Sequence, residues 1–167
     1  MSEISIDEIN GASKKEFVEM LGNIYEESPW VAVEAFSAQP FDSVSDIVAT
    51  FAEIVDMASQ ERQLALLRSH PDLGEQTEMT DASEQEQASA GLDQLTEEQY
   101  RAFQRLNEQY KAQFEFPFIM AVQNESPAAI REAMERRVEH DREKEFRTAL
   151  SEVHEIARLR LQHTVVE

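Results

Sequence analysis

Residues 145–161, EFRTALSEVHEIARLRL, repeat apolar side chains at the three- and four-residue spacing of one helical face. The apolar face consists of Phe146, Ala149, Leu150, Val153, Ile156, Ala157 and Leu161. A helical step of about 100° per residue places Arg160 inside this face, whereas Arg158 points away from it. Because a guanidinium directed at a core is costly without an anionic partner, two interpretations stay open for Arg160. It either pairs with a buried glutamate, such as Glu86, or lines a ligand site.

Sequence signals for the start of a helix recur through the rest of the chain. Side-chain oxygens that can cap a helix are followed, three residues later, by an acid or a glutamine. Such pairs are Ser13–Glu16, Ser43–Asp46, Ser83–Glu86 and Thr96–Gln99. Ser28–Pro29 and Ser126–Pro127 predict two further starts, with proline as the first helical residue. Other helices are expected over 59–69 and 141–162, and a polar loop over 74–82.

No segment shows the alternating pattern of a strand, and only residues 116–122, FPFIMAV, are ambiguous between helix and strand. The pattern therefore predicts an all-α fold. The length of 167 residues suits a single compact multi-helix domain over residues 1–167.

Composition excludes several classes of function. Cysteine is absent, which rules out disulfides, zinc–thiolate sites and a cysteine nucleophile. The net charge of −19 opposes binding to nucleic acid or to an anionic membrane. The four histidines show no metal-ligand spacing, so no metal site is expected. The N-terminal residues do not resemble a signal peptide, and no apolar run approaches a membrane span, which together predict a cytoplasmic location.

Residues 66–74, LLRSHPDLG, place a histidine directly before a proline at the end of a helical run. Proline disfavours helical backbone in the preceding residue, so the helix should stop at Ser69 or His70. The negative end of the helix dipole would favour the protonated imidazole. It would keep the pKa of this group near neutrality, where the side chain can both give and accept a proton. Two interpretations remain: His70 is a helix-capping side chain, or it is a catalytic acid–base group.

Two further segments carry candidate binding groups. In residues 83–92, SEQEQASAGL, Glu86 and Gln87 lie one helical turn before Ala90 and Gly91, so a nearly bare face carries a carboxylate and a carboxamide. Such a face suits either a closely packed helix or a small polar ligand. In residues 114–122, FEFPFIMAV, a proline leaves backbone groups that could hold a urea- or imide-like ligand, or it forms a buried apolar turn.

Five segments in this order resemble one family, the decarboxylases of 2-oxo-4-hydroxy-4-carboxy-5-ureidoimidazoline (OHCU) in urate degradation. The segments are SPW (28–30), HPDLG (70–74), SEQEQASAGL (83–92), LNEQYKAQFEFPFI (106–119) and EIARLRL (155–161). The sequence departs from the family at Glu115, where the family pattern FGFPF has glycine. The resemblance covers nearly the whole chain.

The resemblance implies a cofactor-free, homodimeric, all-helical lyase that converts OHCU to (S)-allantoin and CO2. It implies that His70 is the catalytic proton donor and that Glu86 is its partner at the substrate. Arg160 falls on the family's C-terminal arginine and is expected to bind an anionic group or to hold Glu86 ionised. The other implied substrate-binding residues are Pro71, Ser83, Gln87, Phe118, Ile119, Met120, Ala121 and Val122.

Two alternatives to an active enzyme remain at this point. Acidity, helicity and solubility also suit an acidic helical module that binds a partner protein. An inactive member of the same family is the milder alternative. A pocket shared by His70, Glu86 and Arg160 would favour the enzyme, whereas tight packing between them would favour the binding module.

Overall fold

The computed structural model of the chain describes residues 3–74 and 79–167. Backbone contacts divide the chain into two compact units, Met1–Ser69 with His154–Glu167, and His70–Val153. Within the described residues the regular structure consists of nine α-helices, one short 3-10 helix and two two-residue strands. The predicted all-α fold is therefore confirmed, while the single domain over residues 1–167 stays a prediction.

The first unit contains the N-terminal helices and the end of the chain. Strand β1 pairs in parallel with strand β2, with Ile4 opposite Val165. The elements of this unit are β1 (Ile4–Ser5), α1 (Ile6–Gly11), α2 (Lys14–Leu21), α3 (Trp30–Ala35), a 3-10 helix (Phe36–Ala38), α4 (Val44–Asp56), α5 (Gln60–Arg68), the part of α9 (Arg142–Thr164) from His154 onward, and β2 (Val165–Val166). The core gathers aromatic rings around Phe17, which lies 5.7 Å from Phe36, 6.1 Å from Phe41 and 6.5 Å from Phe51 between ring centroids.

The second unit contains the helices that follow His70. These are α6 (Asp81–Ser89), α7 (Glu97–Phe114), α8 (Pro127–Arg137) and the part of α9 (Arg142–Thr164) up to Val153. Its core is a second aromatic cluster around Tyr110. The Tyr110 ring centroid lies 4.6 Å from Phe114, 5.8 Å from Phe116 and 5.3 Å from Phe118.

Most of the predicted helix starts are confirmed. Ser13, Ser43, Thr96 and Ser126 each cap a helix by accepting a hydrogen bond from the backbone N–H three residues later. Ser59 does the same for α5 and opens the helix predicted over 59–69.

The predicted helix start at Ser83 is wrong. Helix α6 begins one turn earlier, at Asp81, and Thr80 accepts a hydrogen bond from the Ser83 backbone N–H at 3.3 Å. The earlier start places Asp81 and Glu84 in the first turn, where the helix dipole favours acidic side chains. Glu86 is therefore not part of a capping box.

The predicted cap at Ser28 is also wrong. The Ser28 hydroxyl donates to the Glu26 carbonyl oxygen at 2.8 Å, so it does not serve the start of α3. Pro29 instead occupies the cap position with helical backbone and makes no side-chain cap bond. The helix starts at Trp30, one residue later than the sequence predicts.

The ambiguous stretch 116–122 forms neither helix nor strand. Helix α7 ends at Phe114, and Glu115 turns the chain with φ +67° and ψ 21°. Residues 75–78 of the predicted polar loop lie outside the described residues. Among the helices that the structure describes, none combines the length and apolarity needed to cross a bilayer.

Candidate active site

His70 follows a helix end that another residue caps. Helix α5 ends at Arg68, and Ser69 is its C-cap residue, which confirms the predicted stop. The Ser69 backbone N–H donates to the carbonyl oxygens of Ala65 and Leu66 at 3.1 and 3.2 Å, and its hydroxyl donates to Leu66 at 2.6 Å. His70 is half-buried and is the first residue of the second unit.

The segment directly after His70 is held by side chains of α6 and α7. The Gln87 Oε1 atom accepts from the Gly74 backbone N–H at 3.0 Å, and its Nε2 atom donates to the Asp72 carbonyl oxygen at 3.3 Å. The Asn107 Nδ2 atom donates to the Leu73 carbonyl oxygen at 2.9 Å. The Lys111 Nζ atom lies 2.6 Å from Asp72 Oδ2. These bonds fix the backbone on the C-terminal side of the histidine.

Sequence reasoning missed Asn107 and Lys111 as residues that hold the segment after His70. Both lie within the segment 106–119, four residues apart and hence on one face of α7. Asn107 is buried on a helix whose other buried residues are apolar or aromatic. A polar residue at the spacing of an apolar stripe was the available signal.

Helix α6 presents three of the predicted site residues together. Ser83 and Gln87 are buried, and Glu86 is half-buried. Their spacing of three and four residues places Ser83, Glu86 and Gln87 on one helical face. The helix then ends at Ser89 with Ala90 as its C-cap residue, and Gly91 turns the chain with φ +77°, a conformation that glycine adopts without strain.

The predicted binding stretch 118–122 is fixed by side chains from other elements. The Ile119 carbonyl oxygen accepts from Arg137 Nη1 at 2.7 Å, and the Ala121 backbone N–H donates to Glu152 Oε1 at 3.0 Å. Phe118, Ile119 and Val122 are buried, while Met120 and Ala121 are half-buried. The stretch therefore has irregular backbone in a fixed conformation, which suits the holding of a small heterocycle.

Arg160 points inward, as the helical stripe predicts. Its side chain is 7% exposed, and its Nη1 atom lies 3.1 Å from Oε1 of Glu26, whose side chain is 3% exposed. Nη1 also lies 3.3 Å from the Asn23 carbonyl oxygen. The buried partner glutamate predicted for Arg160 therefore exists, and it is a residue that sequence reasoning did not name.

Two other features bear on the choice of site. Arg158 points away from the apolar face and pairs with Glu155, and its hydrogen bonds hold the pKa of that carboxyl below its usual value. In residues 3–74 and 79–167, no three histidine, aspartate or glutamate side chains are grouped so that they could hold a metal ion. Of the candidate residues, Arg160 belongs to the first unit and the others to the second.

Comparisons with known proteins agree with the resemblance seen in the sequence. The sequence profile of the family described as OHCU decarboxylase matches residues 10–162. An OHCU decarboxylase of Halalkalicoccus jeotgali is 54% identical over 166 residues, which cover 99% of this chain and 94% of the relative. An OHCU decarboxylase of Haloferax volcanii is 57% identical over 161 residues, covering 96% of each chain.

Solved structures share the fold. The crystal structure of an (S)-allantoin synthase matches with a TM-score of 0.81 and 31% identity over 98% of this chain. The match covers 54% of that protein, so the present chain spans about half its length. An OHCU decarboxylase crystallised in the presence of (S)-allantoin matches with a TM-score of 0.70 and 20% identity, over 91% of this chain and 97% of the other. The match along nearly the whole sequence and the shared all-helical fold show that this chain belongs to the OHCU decarboxylase family.

Proposed function

We propose that this protein is a carboxy-lyase that decarboxylates OHCU to (S)-allantoin and CO2 in urate degradation. The observation that carries the proposal is the identity of 54% and 57% to two relatives with this name, over nearly the full length of both partners. Such identity, together with the family match over residues 10–162, favours an enzyme over an acidic partner-binding module.

The chemistry of the substrate explains how the reaction proceeds without help from a metal or pyridoxal group. When the bond between the ring carbon and the carboxylate breaks, its electron pair stays on that carbon. The heterocycle receives this charge by conjugation, and CO2 leaves. A proton is then added to the neighbouring ring carbon, which carries the ureido group, while the hydroxyl on the decarboxylated carbon gives up its proton and becomes the carbonyl of allantoin. The face of the ureido-bearing carbon that receives the proton decides the configuration of the product.

His70 is the proposed proton donor. It is half-buried at the start of the second unit, and Gln87, Asn107 and Lys111 hold residues 72–74 after it. A fixed imidazole that delivers its proton from one side yields a single enantiomer, since the intermediate carbon is planar. Unaided protonation reaches both sides and yields a racemate.

Glu86 is proposed to orient the substrate beside His70. Its place in the second turn of α6, on the same face as Ser83 and Gln87, supports contact with the hydroxyl and carboxylate end of OHCU. Pro71, Ser83 and Gln87 line this end of the site in the proposal. The backbone of Phe118, Ile119, Met120, Ala121 and Val122 holds the ring and the ureido group.

Arg160 is proposed to act through a carboxylate. A strong ion pair between a guanidinium and the leaving carboxylate would stabilise the bound substrate more than the transition state, because the negative charge disperses as CO2 departs. Such a pair would oppose decarboxylation. Pairing with a glutamate avoids this opposition, and the Glu26 pair is one such contact. A homodimeric assembly and a cytoplasmic location are also part of the proposal.

The proposal is tested with the purified full-length protein and freshly prepared OHCU, followed by circular dichroism. We expect (S)-allantoin to accumulate in excess over the racemate of the blank. Treatment with a chelator is expected to leave the rate unchanged. A product that stays racemic with folded protein would contradict the proposal and favour an inactive family member.

A further inference from the structure

A buried ion pair lies beside the proposed binding stretch and has no role in the chemistry described above. Arg137, the last residue of α8, is 4% exposed, and Glu145, in the first turn of α9, is 0% exposed. The Arg137 Nε atom donates to Glu145 Oε1 at 2.6 Å. Nη2 lies 2.5 Å from the same oxygen but lacks the alignment of a hydrogen bond.

Further donors hold Glu145 in place. The Tyr110 hydroxyl donates to Oε1 at 2.6 Å, and His140 Nδ1 lies 3.0 Å from Oε2. Burial, followed by the hydrogen bond to Glu145, raises the pKa of Tyr110 well above its usual value, so the hydroxyl keeps its proton and remains a donor. The carboxylate is therefore fixed from three different elements: α7, α8 and the turn between α8 and α9.

The free side of the guanidinium contacts the binding stretch. Arg137 Nη1 donates to the Ile119 carbonyl oxygen at 2.7 Å, and the guanidinium carbon lies 4.3 Å from the centroid of the Phe118 ring. One side chain thus fixes a backbone carbonyl and an aromatic ring in two consecutive residues.

The energetic cost of burying two charges indicates that Arg137 and Glu145 do more than fill the core. A buried ion pair is often no more stabilising than apolar residues of similar volume, because both charges lose their hydration. What apolar residues would not supply is a directed hydrogen bond to a carbonyl in an irregular segment. Segment 116–122 has no helical or strand ladder to fix its conformation, so this bond sets the position of its peptide groups.

We propose that Arg137, held by Glu145 and Tyr110, is a positioning residue that sets the Phe118–Ile119 backbone for substrate binding. The inference rests on the proposed function, because it assumes that this stretch holds the ring and ureido group of OHCU. Arg137 touches no substrate atom in the proposal and acts through the backbone that it holds.

The test replaces the planar guanidinium of Arg137 by an ammonium group, which keeps the positive charge and changes the arrangement of the hydrogen-bond donors. A lysine in Arg137→Lys cannot serve Glu145 and the Ile119 carbonyl with the same geometry. We expect the KM for OHCU to rise about tenfold or more, since loss of a charged hydrogen bond misplaces the groups that bind substrate. The enantiomeric excess of (S)-allantoin should fall as well. The matched control is Arg136→Lys, the same change at an exposed neighbouring position of α8, and it should leave both quantities unchanged.

Tyr110→Phe is the second variant, for the case that Arg137→Lys does not fold. It removes one donor to Glu145 and leaves the bond from Arg137 to Ile119 intact, so a smaller rise in KM is expected. A purely structural role would lower the amount of folded protein, and KM and enantiomeric excess would stay at wild-type values in both variants. That result would overturn the inference while the wild-type enzyme still makes (S)-allantoin. A racemic wild-type product would overturn the proposed function instead.

Discussion

At the scale of single residues, Glu115 stands where the resemblance predicts a glycine. It follows the end of α7 with φ +67° and ψ 21°, the left-handed conformation that commonly ends a helix. Glycine adopts this conformation without strain, whereas a residue with a side chain does so at a cost. The structure thus gives a physical reason for the glycine in the family pattern FGFPF.

We predict that Glu115→Gly stabilises the protein. Relief of the left-handed strain should outweigh the larger entropy of glycine in the unfolded chain, for a net gain of about 0.5–1 kcal/mol in the free energy of unfolding. Urea denaturation at equilibrium measures this difference. Glu115→Ala is the control, because alanine removes the carboxylate and keeps the strain. A gain from Ala as large as that from Gly would show that the side chain, rather than the backbone, is responsible.

Arg160 shows what sequence can and cannot predict about one residue. Its inward direction follows from the spacing of its own helix, because neighbours along a helix are fixed by geometry. Its partner Glu26 is 134 residues away in the chain, and no local pattern connects the two. The choice of partner for a buried charge depends on tertiary packing, which the sequence does not display.

At the scale of helices and strands, the sequence predicts most starts correctly because a cap depends on three or four neighbouring residues. It fails at α6, where two hydroxyl residues lie one turn apart and each can begin a helix. Thr80 is followed three residues later by Ser83, which is in turn followed by Glu86. The glutamate made Ser83 the better match to a capping box, yet the helix begins at Asp81. The match to a capping box therefore does not predict the extra turn.

Substitutions at the two hydroxyl residues separate these alternatives. Thr80→Ala should lower the free energy of unfolding by about 1 kcal/mol, since it removes the acceptor for a backbone N–H at the start of α6. Ser83→Ala removes no cap and is expected instead to raise the KM for OHCU. Urea denaturation and steady-state kinetics measure the two effects. A cost in stability at Ser83 with none at Thr80 would place the helix start where the sequence alone predicts it.

At the scale of the whole molecule, each compact unit has a buried tyrosine whose hydroxyl is paired. In the first unit the Tyr25 hydroxyl lies 2.7 Å from His154 Nδ1, and in the second the Tyr110 hydroxyl donates to Glu145. Burial is the main cause that raises the pKa of both tyrosines above their usual value. Folding therefore keeps both groups protonated at a pH where the unfolded chain releases the proton.

This linkage predicts loss of stability in alkali. Above a pH of about 10, the free energy of unfolding should fall by up to about 1.4 kcal/mol per pH unit for each tyrosine. Below that pH, these groups should add no slope, because both states hold the proton. Urea denaturation from pH 9 to 11 measures the effect. The variant Tyr25→Phe/Tyr110→Phe is the control, and an equally steep fall in it would contradict the assignment.

The central claim is that the imidazole after α5 protonates one side of the decarboxylated ring, and the enantiomeric composition of the product tests it most directly. Allantoin formed from fresh OHCU by wild type, by His70→Asn and by the matched exposed variant His163→Asn is compared by circular dichroism. We predict an excess of (S)-allantoin for wild type and His163→Asn, and a racemate for folded His70→Asn. A full (S) excess from His70→Asn would contradict the claim.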